Sequence, residues 1–276
     1  MQIVAITAAG SFFVGLLGAI LGIGGGTFLV PYLVIAAGLE PVEAVGISLF
    51  CVIGTSVGGA SQALRTGQAN LGLALVLEPF MLVGSVGASL VAQRVSGAVI
   101  LGLFAAMLFG LGALFLRLGL KDSGAPPVAP DGEGRLYDGA SPEPDGSVVR
   151  YRPQRVGLLA LLVSSTGAAS GLLGIGGGVL NVPYMTLVSR VPLRAAASTS
   201  VLTMLVTGAA AGSVHLSHGT VPGPLVAASL LSVVPGGWLG ARLQARLPTR
   251  TLRLLFAALA FAIAAATLHR ALQGAP

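Results

Sequence analysis

Two stretches of the chain carry almost the same twelve residues, LGIGGGTFLVPY at 21–32 and LGIGGGVLNVPY at 173–184. They lie 152 residues apart. The same offset aligns other polar residues and glycines over most of each half: Ser48 with Ser200, Thr55 with Thr207, Ser61 with Ser213, Gly67 with Gly219 and Arg94 with Arg246. One constant offset over such a length indicates an internal repeat, so the chain consists of two copies of the same half.

The composition predicts a membrane protein with several spans. Of 276 residues, 54% are apolar and only 9% are charged, 15 basic and 9 acidic. A soluble protein carries roughly 25% charged residues, because its surface faces water. The net charge of +6 would suggest nucleic acid as the partner of a soluble protein. In a membrane protein it indicates basic cytoplasmic loops instead, so we expect a lipid bilayer and no nucleic acid as partner.

Ten hydrophobic runs predict an all-α fold. Most have about 20 residues, enough to cross roughly 30 Å of hydrocarbon. The second run of each half has 12 or 13 residues, about 20 Å of helix, and is too short to span alone. Residues 121–155 hold six of the nine acids and predict a solvated, flexible linker. The predicted organisation is a first membrane repeat at 1–118, a polar linker at 119–155 and a second membrane repeat at 156–276.

The distribution of basic residues favours inverted repeats. If each short run returns to the side from which its predecessor entered, each half has three full spans plus a hairpin, about 8–10 membrane segments in all. One side then receives 13 basic residues and the other only Arg94 and Arg270. If each pair makes one net crossing, the repeats are parallel and the split is seven to eight. Because cytoplasmic loops carry an excess of Lys and Arg, we expect inverted repeats, a cytoplasmic linker and both termini outside.

The triple glycine of each repeat predicts a broken helix and a site for an anion. Backbone N–H groups left unpaired at such a break are tolerated in a membrane only where they are buried in protein or line a cavity. The short helices that follow would point their positive N-termini at the break from opposite faces. The alternative is close helix packing by small residues. The predicted substrate-binding residues are Gly24, Gly25, Gly26, Thr27, Pro31, Ser48, Gly176, Gly177, Gly178, Asn181, Pro183 and Ser200.

The predicted anion site also implies a role for the prolines that follow the glycines and an effect of substituting the glycines. Pro31 and Pro183, five residues after the last glycine, would fix each helix start or kink it. Valine at Gly25 or Gly177 is expected to abolish transport, because a β-branched side chain would fill the space for the anion and disfavour the backbone angles of the turn.

Two copies of G-x-G-G-G-x-x-x-x-P around a polar linker resemble the sulfite exporter TauE/SafE family of membrane transporters. The resemblance covers nearly the whole chain and implies about eight spans and movement of small sulfur-containing anions, such as sulfite or sulfonates. Asn181 stands where the first copy has Leu29, so the repeats differ by one amide. The motif falls on Gly22, Gly24, Gly25, Gly26 and Pro31, and on Gly174, Gly176, Gly177, Gly178 and Pro183.

Other polar residues lie within the predicted spans. A hydroxyl recurs seven residues after Ser48 and after Ser200, on one helix face, where it either lines a pathway or bonds between helices. Glu78, followed by Pro79, is the only carboxylate well inside a run, and its repeat counterpart is Leu230. Since an ionised carboxylate there costs several kcal/mol, Glu78 is either a proton-coupling residue or a buried, protonated carboxyl.

The sequence therefore predicts a secondary transporter, and specifically an exporter, of small sulfur-containing anions in the cell membrane, the inner membrane of a bacterium. The alternatives are a passive anion channel or a transporter of another small organic anion. We expect no enzyme activity, since an intramembrane serine protease needs a serine and a histidine at depth, and His215 and His218 lie beside a loop. No cofactor or metal is expected, and no phosphate-binding GxxxxGK[ST] motif occurs. The oligomeric state stays open.

Overall fold

The computed structural model describes residues 2–21, 25–120, 136–142, 147–244 and 249–273. Within these ranges the chain forms helices joined by short loops, with one two-stranded antiparallel sheet between α5 and α6. The elements are α1 Gln2–Leu21, α2 Gly26–Ala36, α3 Pro41–Arg65, α4 Leu71–Ala92, α5 Gly97–Leu120, β1 Gly139–Pro142, β2 Val148–Tyr151, α6 Val156–Leu173, α7 Gly178–Leu187, α8 Leu193–Ser217, α9 Gly223–Gln244 and α10 Thr249–Leu272.

The helix boundaries follow the sequence repeat. Helices α3, α4 and α5 begin and end 152 positions before α8, α9 and α10, respectively. The short helices α2 and α7 also begin 152 positions apart. The prediction of two copies of one half is thus matched helix by helix.

Eight of the described helices are long and apolar enough to cross a membrane: α1, α3, α4, α5, α6, α8, α9 and α10. The short helices α2 and α7 have 11 and 10 residues, about 16 Å of helix, and cannot span alone. Apolar side chains such as Val83 and Leu231 stand on outer faces, 77% and 78% exposed. Such exposed apolar faces are expected where helices face lipid, so the fold is the predicted all-α membrane protein with several spans.

Helix α2 folds back along α1. The Tyr32 hydroxyl, in the second turn of α2, donates a hydrogen bond of 3.0 Å to the carbonyl of Ile6, near the start of α1. The Tyr32 ring also lies against Gly10, which has no β-carbon to exclude it. Since the chain leaves α1 at Leu21 and returns to the level of Ile6 within α2, the two helices form a hairpin.

Two pairs of counterpart helices, α3 with α8 and α5 with α10, pack against each other in antiparallel orientation. Gly46, near the start of α3, lies against His215, near the end of α8. Gly59, near the end of α3, lies against Val201, near the start of α8. Helices α5 and α10 run in opposite directions in the same way, through two pairs of aromatic rings with centroids 4.4 and 5.1 Å apart: Phe115 with Phe256 and Phe109 with Phe261.

Glycines bring the remaining long helices into close contact. A β-carbon at Gly167 of α6 would collide with the backbone of Met81 in α4, and one at Gly236 of α9 would collide with the carbonyl of Phe12 in α1. Backbones that approach this closely gain van der Waals contacts, which stabilise helix pairs where lipid removes the hydrophobic driving force. The chain has 41 glycines, and these contacts give some of them a packing role outside the turns.

The prediction of a solvated, flexible linker is wrong for part of its second half, which forms a hairpin and buries Tyr151. Strands β1 and β2 pair with Gly139 opposite Tyr151, and Tyr151 is only 1% exposed. The side-chain nitrogen Nδ2 of Asn70, just before α4, donates to the carbonyl of Tyr137 at 2.8 Å and to the Tyr151 hydroxyl at 3.3 Å. Burial raises the pKa of the Tyr151 hydroxyl. The alternation of strand side chains turns Tyr151 toward the helices, so this hairpin packs on the ends of the spans.

Candidate functional site

The two glycine turns meet inside the helix bundle, and we call the described part, Gly25, Gly26 and 174–178, the glycine junction. Ser48 of α3 joins the two turns: its hydroxyl lies 2.7 Å from the carbonyl oxygen of Gly174 and 3.2 Å from that of Gly26. A β-carbon at Gly26 would lie 2.6 Å from the Gly174 oxygen, so only glycine fits there. Gly22 and Gly24 lie outside the described residues.

The junction receives the N-termini of two short helices. Helix α2 begins at Gly26 and α7 begins at Gly178, and neither helix has a side-chain hydrogen bond at its N-cap. The first N–H groups of a helix have no partner within the helix, and this end carries about half a positive charge. Two such ends at one buried place form an environment that favours a small anion.

The backbone differs between the two turns. Gly174, Gly176 and Gly177 have positive φ angles of 71°, 71° and 81°, in the left-handed region that disfavours residues with a β-carbon. Gly25, the counterpart of Gly177, has φ −70° and ψ −20°, which any residue adopts. We expected backbone angles that disfavour a β-carbon at both glycines. This prediction holds for Gly177 and is wrong for Gly25, because the first turn passes into α2 through a right-handed conformation.

Both prolines lie within the short helices rather than at their starts. Pro31 and Pro183 are buried and each lacks the N–H group that would bond to the carbonyl four residues earlier, in Thr27 and Val179. The first-turn carbonyls of α2 and α7 thus lose one helical partner. Of the two predicted roles, fixing the helix start is wrong, since each helix already begins at its last motif glycine. A kink at each proline stays a prediction.

Polar side chains gather on the α7 side of the junction. Asn181 is completely buried, and its amide nitrogen lies 3.2 Å from both Thr203 Oγ1 and Met81 Sδ. Among the described residues, the side-chain oxygen of Asn181 and the buried hydroxyls of Thr166 and Ser200 have no hydrogen-bond partner. Thr166 also packs directly on Gly177. Unpaired buried polar groups are costly, so these groups are available to a ligand.

The first repeat is less polar at three of these four positions, while the counterpart of Ser200 is Ser48. Its positions 152 residues earlier hold Leu29 for Asn181, Cys51 for Thr203 and Val14 for Thr166. Thr27, at the start of α2, is buried with an unpaired hydroxyl. The single amide difference noticed in the sequence is thus part of a larger asymmetry between the two sides of the junction.

The hydroxyl groups that recur at a spacing of seven residues, in Ser48 and Thr55 and in Ser200 and Thr207, differ in their hydrogen-bond partners. Ser48 bonds across to the turns, whereas Thr55 donates to carbonyls of its own helix. Thr207 donates to the Oε1 atom of Glu78 at 2.9 Å. Ser200 keeps an unpaired hydroxyl among the described residues. Bonding between helices therefore explains Ser48 and Thr207, and the role of Ser200 stays a prediction.

Glu78 lies midway along the contact between α4 and α8 and is partly exposed. The Thr207 hydroxyl donates a hydrogen bond to its carboxyl group, and among the described residues no basic side chain forms an ion pair with it. The salt bridge found in the described ranges joins Arg152 to Asp138, 3.0 Å apart in the linker hairpin. A carboxyl group in a span without a cationic partner favours the bound proton.

Sequence reasoning missed a row of polar contacts between α4 and α8, which we call the polar seam. Thr199, Thr207 and His215 contribute from α8, over about 24 Å of helix. The amide N–H of Asn70 donates to Thr199 Oγ1 at 2.9 Å, and Gln93 Nε2 lies 3.0 Å from His215 Nδ1. The sequence held a signal: the polar residues on α4 recur at helical spacings, at Glu78, Ser85, Ser89 and Gln93.

Comparison with known proteins identifies the family. The sequence profile described as "Sulfite exporter TauE/SafE" matches residues 7–267. The chain belongs to this family. The resemblance seen in the doubled glycine motif is confirmed, and this TauE/SafE protein is accordingly a member of a membrane transporter family.

Curated relatives carry transporter names. This TauE/SafE protein is 26% identical over 255 residues to the "probable membrane transporter protein YunE" of Bacillus subtilis, covering 87% of the chain and 88% of the relative. It is 27% identical over 250 residues to a "probable membrane transporter protein" of Xylella fastidiosa, covering 89% and 87%. The "probable membrane transporter protein MamO" of Magnetospirillum gryphiswaldense is 32% identical over 210 residues, which are 70% of this chain but only 32% of MamO. No solved structure matches the chain.

Proposed function

We propose that this TauE/SafE protein is a secondary transporter that exports small sulfur-containing anions, of the sulfite or organosulfonate class, across the cell membrane. The observation that carries the proposal is the glycine junction, where Ser48 joins two turns from opposite halves and where the short helices α2 and α7 begin. Family membership supports transport. The residues serve binding and movement of a substrate, not catalysis.

The site suits a small anion that must also be released. Backbone N–H groups and helix ends supply partial positive charges. None of the side chains nearest to Gly25, Gly26, Gly174, Gly176 and Gly177 is Lys or Arg, so we propose that helix ends and hydroxyls, rather than a full countercharge, hold the anion. The unpaired hydroxyls of Thr166 and Ser200 can donate to anion oxygens. The unpaired side-chain oxygen of Asn181 only accepts, so any donation from this residue to an anion comes from its amide nitrogen. Sulfite and sulfonate groups carry several oxygens in a small volume.

Alternating access would follow from inverted repeats, which we propose for the two halves. The antiparallel packing of α3 on α8 and of α5 on α10 supports opposite orientation of the counterpart helices. The α1–α2 hairpin supports an odd number of crossings in the first half. With the excess of basic residues placed inside, the linker is cytoplasmic and both termini are outside, and the membrane is the cell membrane.

Transport by the purified protein tests this function. Proteoliposomes loaded with sulfite, sulfate, taurine or sulfoacetate should release sulfite or a sulfonate against its gradient when a proton gradient is imposed. Protein-free vesicles measure the background leak. Flux that stops at equilibrium under every gradient would indicate a passive channel instead. Flux of unrelated organic anions alone, or of none of these compounds, would contradict the proposed substrate class.

The proposed orientation predicts which positions react with an impermeant thiol reagent in intact cells. Cysteine at Ala140, exposed in the linker hairpin, should be labelled only after the membrane is permeabilised. Cysteine at Ser96, exposed in the loop between α4 and α5, should be labelled from outside. The native Cys51 is buried and should give little background. Ser141 is less suitable because it is completely buried. The reverse labelling pattern would contradict the orientation.

A further inference from the structure

We propose that Asn181 makes the site selective for anions that carry their own hydrogen-bond donor, an O–H or N–H group close to the anionic group. Hydrogen sulfite and the hydroxy- and amino-sulfonates have such a donor, whereas simple alkyl sulfonates have none. The inference rests on the proposed function and deepens it, because it divides the proposed substrate class by chemistry. The hydrogen bonds that orient the Asn181 amide lead to this selectivity.

Asn181 lies in the first turn of α7, beside the glycine junction. Its backbone N–H donates to the carbonyl of Gly177 at 3.0 Å, and its side chain is completely buried. A β-carbon at Gly177 would lie 3.0 Å from Thr166 Cγ2 and 3.4 Å from Met81 Cε. Since Met81 also contacts the Asn181 side chain, the amide, Thr166 and the second glycine turn are neighbours.

Both hydrogens of the Asn181 amide have partners within the protein. The nitrogen Nδ2 lies 3.2 Å from Oγ1 of Thr203 and 3.2 Å from Sδ of Met81. The single hydroxyl proton of Thr203 goes to the carbonyl oxygen of Ser200, 2.9 Å away, so Thr203 Oγ1 accepts from the amide. A thioether sulfur has no hydrogen and also only accepts. The amide nitrogen therefore has no hydrogen left for a ligand.

The reverse orientation of the amide is excluded by the same two partners. An asparagine side chain that is turned over exchanges its donor and its acceptor. The oxygen Oδ1 would then face Thr203 Oγ1 and Met81 Sδ, and neither has a hydrogen to give. The atom without a partner among the described residues is thus Oδ1, which only accepts.

The unpaired oxygen sets a requirement for the ligand. The hydroxyls of Thr166 and Ser200, also unpaired among the described residues, can donate to the oxygens of an anion. An anion that offers only acceptor atoms would place lone pairs against the Asn181 oxygen and leave this buried group unpaired, which is costly. A ligand that both accepts from the hydroxyls and donates to Asn181 can pair with all of these groups.

The first repeat shows that packing does not require this arrangement. Leu29 takes the place of Asn181 and is itself completely buried. Cys51 takes the place of Thr203. A short helix with the same glycine start and the same proline thus packs with an apolar side chain at this position. The amide and the threonine that orients it are an addition of the second repeat, which fits a role in selecting the ligand.

The test compares three sulfonates with the same number of heavy atoms: 2-hydroxyethanesulfonate, taurine and propane-1-sulfonate. The first carries an O–H donor, the second carries N–H donors, and the third has a methyl group at the same place. Titration calorimetry measures binding of each compound to the purified protein in detergent at one pH. We expect at least one donor-bearing sulfonate to bind about tenfold more tightly than propane-1-sulfonate, the order of the cost of an unpaired buried acceptor.

Substitutions locate the selectivity at the amide. Asn181→Leu copies the first repeat and removes the acceptor, so the preference for a donor should disappear. Thr203→Val should weaken the preference, because the freed amide can turn and offer a hydrogen to propane-1-sulfonate. A merely structural role of Thr203 would not change the relative affinities in this way.

Thr186→Val is the matched control for the loss of a threonine hydroxyl. Thr186 lies on α7 but donates to carbonyls of its own helix, so its valine variant should keep the wild-type preference. A preference that survives in a folded Asn181→Leu protein would overturn the inference. If that variant does not fold, an unchanged preference in Thr203→Val overturns it instead.

Sulfite tests the inorganic member of the class. Hydrogen sulfite carries an O–H group in its hydroxyl tautomer, whereas the sulfite dianion has only acceptors. The affinity for total sulfite should fall as the pH rises and the dianion replaces hydrogen sulfite, and this fall should be shallower in Asn181→Leu. A preference confined to the sulfonates would identify a hydroxy- or amino-sulfonate as the ligand, and one confined to sulfite would identify hydrogen sulfite. Absence of both preferences, as expected if water satisfies the Asn181 oxygen, would overturn the inference.

Failure of the inference differs from failure of the proposed function, because binding is measured separately from flux. If the wild-type protein binds neither sulfite nor any sulfonate, the proposed function fails and the inference fails with it. If the protein binds and moves these anions without a preference that depends on Asn181, only the inference fails. A preference that depends on Asn181 but is accompanied by no flux in proteoliposomes would support the inference and contradict transport.

Discussion

Replacing Gly177 with valine is expected to abolish anion flux while the protein still inserts into the membrane. Gly177 has φ 81°, and a β-carbon there would lie 3.0 Å from Cγ2 of Thr166. The left-handed region costs an L-residue roughly 1–2 kcal/mol, and a β-branched side chain tolerates it least. The added methyl groups would also fill the space before the N-terminus of α7. Flux in proteoliposomes, normalised to the amount of inserted protein, measures the effect.

Gly67→Val is the matched control for this prediction. Gly67 has φ 65° in the loop between α3 and α4, and nothing lies within 4 Å of the position of its β-carbon. Its valine variant therefore has a similar backbone strain without crowding the junction and should keep most of the flux. Gly25→Val should be less harmful than Gly177→Val, because Gly25 has a right-handed backbone. Wild-type flux in a well-inserted Gly177→Val variant would refute the proposed site.

Replacing Glu78 with glutamine is expected to leave anion exchange largely intact. The variant should no longer use a proton gradient to move the anion against its own gradient. Glutamine keeps an oxygen that accepts from the Thr207 hydroxyl, now 2.9 Å from Oε1, but it cannot bind and release a proton. The counterpart Leu230 shows that the fold of this helix pair does not need a carboxyl there. Flux against pH for both proteins measures the coupling.

Glu40→Gln is the control for the loss of a carboxyl group. Glu40 is exposed just before α3 and does not face the seam, so its glutamine variant should retain the wild-type pH profile. If Glu78→Gln also keeps a proton-driven profile like that of the wild type, Glu78 is only a hydrogen-bonding, neutral acid. That result would remove it from the mechanism.

The sequence by itself determined the spans, the repeat and the position of the glycine turns. Hydrophobic length decides whether a segment can cross lipid, and this property is local. The predicted repeat boundaries therefore lie close to helix limits: the first repeat was predicted to end at 118, where α5 ends at Leu120, and the second to begin at 156, where α6 begins at Val156. A run of glycines likewise breaks a helix wherever it stands. These predictions needed no knowledge of which helices are neighbours.

Only the tertiary structure decided which groups meet. Ser48 reaches Gly174 across 126 residues of sequence, and Gln93 reaches His215 across 122. Tyr151 looked solvated because its segment is polar, yet the packing of the hairpin buries it against Asn70. Gly25 and Gly177 share one motif but differ in backbone conformation. Such features depend on distances between separate helices. A local sequence does not determine these distances, even when it occurs twice in the chain, because they are set only when the helices pack.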